Sequence, residues 1–245
     1  MSGARSEEIM IAAITRMLSN LSHVAVGASS PIPGSAALLA RELSGGALKV
    51  SLLGRASNPS FTDGGRELFD CAAQGRIDAY FLSGAQIDGQ ANINLVTIGD
   101  PDRPNARFPG SFGSAYLYFL VPRVILFRVE HSTRSLVPKV DYISAPGVSE
   151  PNIYRPGGPY ALVTGRCVFD FSKKNKCFRL KSLHPGHSVE DIKRETGFAF
   201  DVPASETIPE TELPSAEWLG LIRGSVGDEI REIYPDFATK MFGGA

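Results

Sequence analysis

Cysteine is scarce in this sequence: three occur in 245 residues, and Cys71, Cys167 and Cys177 form no C-x-x-C pair. An odd number of thiols cannot all pair within one chain, so buried reduced side chains are expected in place of a disulfide framework. Long apolar runs are missing too. The stretch from Tyr116 to Leu126 is broken by Pro122 and Arg123 and falls short of the roughly 20 residues a membrane helix needs. Neither sign of charge dominates. A formal net charge of −1 supplies no whole-chain field to draw nucleic acid or anionic lipid. The N-terminus sets Arg5, Glu7 and Glu8 before a periodic apolar pattern, where a secretory signal would have a basic region and an apolar block. The cytoplasm is the expected location. Also absent are G-x-x-x-x-G-K, G-x-G-x-x-G, G-x-S-x-G and H-E-x-x-H, which removes weight from nucleotide-phosphate, nucleophile-elbow and zinc-protease chemistry. His184-Pro185-Gly186-His187 reads as a loop before a helix, and no metal site is expected.

What is present is the composition of an ordinary globular protein, 43% hydrophobic and 21% charged, of a length one core can fill. A single domain over residues 1–245 is expected. Ser6 is placed to cap a helix with Glu7 and Glu8 in its first turn and Met10, Ala13, Ile14, Met17 and Leu18 on one face, the pattern of an amphipathic surface helix. A strand at His23–Gly27, a turn at 29–34 and an apolar-periodic helix through Ala36, Leu39, Ala40 and Leu43 follow. Strand Leu48–Leu53, helix Gly64–Gln74 stopped by Gly75, and strand Tyr80–Leu82 continue the alternation that a parallel sheet requires. The middle is strand-rich: 94–98, 123–129 and 140–143, then a hairpin of 161–164 and 167–171 about Gly165-Arg166, and 178–180 after the turn Lys173-Lys174-Asn175-Lys176. That basic run reads as a solvated hairpin tip. Ser188 with Asp191 suits a capping box for a helix ended by Gly197. The expected fold is α/β, an open, mainly parallel sheet with flanking helices, a strand-rich middle and a C-terminal helical segment.

Three stretches carry the chemistry: Ser83–Asp88 after a strand, Arg107–Ala115 in the central loops, and Lys139–Gly147. Taken together and in order, they make the chain resemble the B subunits of family I coenzyme A-transferases, the glutaconate type most closely. The family's G-A-Q-I-D and G-N-x-N resemble Gly84–Asp88 and Gln90-Ala91-Asn92-Ile93-Asn94, with alanine in place of the second motif's glycine. Its R-F-x-G-S-G-G-A loop resembles Arg107–Ala115, its H-x-x-R resembles His131–Arg134, and its K-[IV]-D-Y-[VI]-[ST]-x-P-G resembles Lys139–Gly147.

The resemblance implies pairing with a homologous A subunit in a hetero-oligomer and an acyl-CoA thioester as substrate, with no tightly bound cofactor. Gly110, Ser111, Gly113 and Ser114 become the candidate substrate or oxyanion platform, although as isolated glycines they read as a plain turn. Gln86, Asn94, Arg107, His131 and Arg134 become candidate CoA or carboxylate contacts, with a bracing or interface salt-network role as the alternative. In the family a glutamate in an E-[SN]-G turn attacks the thioester. The matching segment is Val50-Ser51-Leu52-Leu53-Gly54, so Leu52 stands where that glutamate is expected, and a leucine cannot attack a carbonyl. Asp63, a possible substitute, reads as a turn and helix cap. The catalytic carboxylate is then expected from the partner. The steroid ring-opening CoA hydrolases, whose B chains also lack the glutamate, offer a second resemblance through Ser182-Leu183-His184-Pro185-Gly186. A non-catalytic binding protein of the same fold is the third possibility.

Overall fold

The computed structural model describes residues 3–57, 59–203 and 207–243. In chain order its elements are α1 (Ser6–Met17), β1 (His23–Val26), α2 (Pro31–Leu43), β2 (Lys49–Leu52), α3 (Gly64–Ala73), β3 (Ala79–Leu82), β4 (Gln86–Ile87), β5 (Ile93–Asn94), β6 (Thr97–Ile98), β7 (Ala106–Arg107), α4 (Ser114–Leu120), β8 (Arg123–Arg128), β9 (Pro159–Thr164), β10 (Cys167–Ser172), β11 (Cys177–Leu183), α5 (Val189–Glu195), α6 (Ala216–Arg223), α7 (Ser225–Ile233) and α8 (Pro235–Phe242). The chain divides into two compact units, Met1–Phe81 with Glu212–Ala245, and Leu82–Thr211.

In the first unit β1 pairs in parallel with β2, from His23↔Lys49 to Val26↔Leu52, and with β3 through Val24↔Ala79. Helices α2 and α3 supply the crossovers that parallel pairs need. Every residue of β1 is buried, as expected of an inner strand covered on both faces. Two expectations are corrected. The turn at 29–34 is already helical from Pro31, because proline at the first helical position lacks only an N–H that has no partner there. The surface helix is a buried one. Ile9 to Ile14 of α1 are all buried, and Ser6 is its first residue, with Arg5 as the cap. Contacts with α2 and α6 cover it. Its one buried acid, Glu8, is held by Arg223 Nε at 2.6 Å.

In the second unit β8 runs parallel to β9, and β9–β10–β11 form an antiparallel meander. The expected strand at 94–98 is split: β5 pairs with β4, and β6 with β7. The expected strand at 140–143 does not form. Its polar groups are taken by side chains, Asp141 N donating to Gln86 Oε1 at 2.9 Å and Val140 N to Asp88 Oδ2 at 3.4 Å. Helix α4, which no sequence signal indicated, begins at Ser114, within the Arg107–Ala115 segment. The Ser188 capping box forms as expected, with Asp191 N donating to Ser188 Oγ at 3.1 Å and Ser188 N to Asp191 Oδ2 at 3.1 Å. Parallel pairing, flanking helices and the C-terminal helices α6–α8 agree with the expected α/β class. Among the described residues, no helix is long and apolar enough to cross a membrane.

Candidate active site

In the first unit, Leu52 ends β2 and is 3% exposed. A Cβ placed on Gly34 would lie 3.6 Å from Leu52 Cδ2, 3.0 Å from Ile230 Cδ1 and 3.8 Å from Tyr234 Cε2, so these side chains converge on one apolar spot. The turn beyond is tied down by charge: Arg55 pairs with Glu229 and Glu232, and Ser57 N donates to Glu232 Oε1 at 2.8 Å. Asp63 stands at the N-cap position of α3, at the surface and without a side-chain capping hydrogen bond, and pairs with Arg66 at 3.0 Å.

In the second unit the motif residues form a hydrogen-bonded frame. Gln86 Nε2 donates to Asp141 Oδ2 at 3.0 Å, and Gln86 Oε1 accepts from Asn94 Nδ2 at 2.8 Å. Asn94, fully buried, also accepts from Val96 N and Thr97 N. Asp88 accepts from Gln90 N and from both nitrogens of Asn92, whose Oδ1 accepts from Gly147 N at 3.0 Å. A Cβ on Gly147 would collide with the Gln90 carbonyl and the Ala91 backbone, which accounts for glycine there. The family's glycine in the second motif also gains a reason. Ala91 has φ +61, a left-handed conformation that favours glycine.

The loop between β7 and α4 is the most open part of the candidate site. Arg107 is exposed and donates from Nη2 to Pro101 O at 2.9 Å. Gly110 is exposed at φ +109, and Phe112 is 79% exposed at φ +46. Ser111 and Gly113 are half-buried, with Gly113 capping α4. Ser114 is buried and spends both donors on one acceptor: its N–H and hydroxyl reach Ser111 O at 2.9 and 2.5 Å.

His131 lies deeper, whereas Arg134 is exposed, and each has a network of its own. His131 is buried, with Nδ1 2.8 Å from Thr164 Oγ1 and Nε2 2.9 Å from Thr196 Oγ1. Burial first, then the Arg166 charge and the neighbouring histidines, pushes its pKa down to about 4. His184 is held the same way, 2.9 Å from Thr211 Oγ1 and 2.8 Å from Thr164 O, and burial brings it to about 4 as well. Arg134 grips Glu130 with Nε and Nη2 at 3.0 and 2.8 Å. Glu130, which sequence reading passed over, also accepts from Ser132 Oγ at 2.6 Å and Arg128 Nη2 at 3.0 Å. Its pKa falls to about 2, through the Arg134 hydrogen bonds first and Ser132 next. The available signal was the pattern Arg128-x-Glu130-x-Ser132-x-Arg134, alternating charge and hydroxyl past the end of a strand. Among the described residues, no group of three His, Cys, Asp or Glu side chains could hold a metal ion.

Comparison with known proteins follows the same lines. The coenzyme A transferase family profile matches residues 2–195. The B-type subunit of glutaconate CoA-transferase from Acidaminococcus fermentans is 34% identical over 153 residues, 60% of this chain. The match extends over only 58% and 56% of the length of two such transferase relatives. The IpdB subunit of a cholesterol ring-cleaving hydrolase from Mycobacterium tuberculosis is 30% identical over 240 residues, 89% of this chain and 87% of the relative. Among solved structures, the decarboxylase AibA/AibB superposes with a TM-score of 0.74 at 27% identity, covering 98% of this chain and 99% of the other. With its motifs in family order and the family profile matched through most of its length, the chain belongs to the coenzyme A transferase family.

Proposed function

We propose that this chain is the B-type subunit of a heteromeric cytoplasmic enzyme that acts on the CoA thioester of a carboxylic acid, with the catalytic carboxylate supplied by an A-type partner. The observation that carries the reading is Leu52. It is buried among apolar side chains at the position where the family motif holds its attacking glutamate, so covalent catalysis has no nucleophile at this position. The loop of Gly110, Ser111, Gly113 and Ser114 is assigned to the thioester carbonyl, and exposed Arg107 to a substrate carboxylate or phosphate. Gln86, Asn94 and His131 have their polar groups engaged within the chain, so they hold the loops in place; Arg134 positions Glu130. Unpaired Cys71, Cys167 and Cys177 suit a reducing compartment.

Within this reading, CoA transfer and hydrolysis of a cyclic acyl-CoA remain distinct reactions. Ring hydrolysis is favoured by the alignment to the ring-cleaving hydrolase relative, which runs nearly end to end where the transferase alignments cover about three-fifths of the chain. The test is co-expression with an A-type partner. Acyl-CoA turnover is expected only from the pair, with no acyl or CoA adduct on residues 45–65 of this chain. Full turnover by the chain alone, or an adduct on Asp63, would overturn the reading.

A further inference from the structure

Glu130 stands just past the end of β8 and directly before the His131–Arg134 segment, a carboxylate in a chain that has none at position 52. Attack on a thioester is not its role. Each of its oxygens already accepts two hydrogen bonds: Oε1 from Ser132 Oγ at 2.6 Å and Arg134 Nε at 3.0 Å, Oε2 from Arg134 Nη2 at 2.8 Å and Arg128 Nη2 at 3.0 Å. A carboxylate offers about four lone-pair positions, so none is left for a reacting carbon. What a saturated anion does is hold its donors in place.

Of those donors, Arg128 leads furthest. Its Nη1 donates to Gly84 O at 2.6 Å, and Gly84 opens the Gly84–Asp88 motif. Its Nε is buried without a hydrogen-bond partner, so the guanidinium is tied through its two outer nitrogens, one of them to Glu130. Gly84 has no slack to absorb a shift. A Cβ there would lie 2.6 Å from Ile93 Cγ2, 2.7 Å from Gln86 O and 3.2 Å from Asn94 O. Displacement of Arg128 is therefore passed on to the motif frame, where Ala85 N donates to Asn94 O and Ile87 N to Ser135 O, both at 2.8 Å. Without the anion, a partly buried cation would face only a neutral carbonyl.

We propose that Glu130 is a positioning residue for the thioester reaction, acting through Arg128 to fix the Gly84–Asp88 loop against the His131–Arg134 segment. The reaction rests on the proposed function; the relay rests on the geometry. Glu130→Gln, which keeps the shape and removes the charge, is read in two ways. In the full chain, amide hydrogen exchange over residues 84–88 should quicken by about tenfold while β10 exchanges as in the wild type. In the pair co-expressed with an A-type partner, kcat should fall by about tenfold or more with KM within about twofold, since a misplacement of about 1 Å costs on the order of 100-fold. Arg128→Lys keeps the charge but cannot reproduce the guanidinium fork, and the double variant is expected to lose no more than the worse single one. Additive losses, unchanged exchange over 84–88, or faster exchange in β10 as well, which would mark a general loosening of the unit, would each overturn the relay. Faster loop exchange with unchanged kcat would sink the positioning role alone. A wild-type pair without acyl-CoA turnover would sink the enzymatic reading alone, and loop exchange would still decide the relay.

Discussion

Leu52 shows how one residue separates membership of a family from its usual chemistry. Its side chain fills the space beside Gly34, Ile230 and Tyr234, so its contribution is packing. Leu52→Ala is expected to lower stability by about 2–5 kcal/mol through the lost transfer energy and the cavity left behind. Turnover per folded complex with the partner should persist, since no chemical step is removed. Urea unfolding of the chain, set beside thioester hydrolysis or exchange by the complex, checks both halves. Ala91 gives the opposite kind of prediction. At φ +61 it holds a conformation that glycine adopts without penalty, so Ala91→Gly should gain about 1 kcal/mol, read as a higher urea midpoint with unchanged slope. A drop in midpoint would mean that the buried methyl packs well enough to outweigh the strain.

Among the elements, α1 and α6 are joined by the Glu8–Arg223 ion pair and by the Arg16 guanidinium over the Trp218 ring. Glu8 is fully buried, and its partner Arg223 is 44% exposed, with Nε and Nη2 at 2.6 and 2.9 Å. Burial pushes the Glu8 carboxyl upward, and the hydrogen bonds of Arg223 and of the Arg5 backbone outweigh it, leaving the pKa below the ordinary value. Arg223→Ala should cost about 2–3 kcal/mol, the low end for stranding a buried charge because the arginine itself remains half in water. Arg223→Lys should recover part of that loss; chemical denaturation of both variants is the measurement, and an unchanged midpoint in the alanine variant would refute the pairing. Most elements were legible in the sequence wherever apolar period and punctuation agreed: the helix stopped by Gly75, the hairpin about Gly165 and the capping box at Ser188. Helix α4 was not, because its seven residues carry no acid in the first turn and no base in the last. Residues 140–143 alternate like a strand, but their amides pair with side chains from the Gln86–Asn94 segment, a competition the local sequence does not reveal.

For the whole molecule, acid sensitivity should track the three buried histidines, His23, His131 and His184, all of whose pKa values burial lowers; the last two are shifted furthest. Both His131 and His184 have folded pKa values near 4, below the ordinary 6.5, so the unfolded chain takes up protons first as pH falls. Their stabilising contribution is complete above about pH 6.5 and is lost progressively toward pH 4, by about 2 kcal/mol each at pH 5. Urea titrations at pH 7.5 and pH 5 should show that loss, and His184→Gln should flatten the difference; an unchanged slope in that variant would show that His184 is not the titrating group. Class and kinship were already written in the linear chain. Alternating strand and helix periods specify an α/β chain, and five ordered motifs specify the family, because both reside in residues near one another along the chain. The lack of a carboxylate at position 52 is equally plain there. Folding was needed to sort the motif residues into those that face outward and those that hold the frame. Gln86 and His131 are both polar and both within family motifs, and only the fold brings Asp141, Thr164 and Thr196 within about 3 Å of them. Whether a polar side chain is free to meet a ligand depends on partners distant in sequence, and a one-dimensional reading has no measure of that distance.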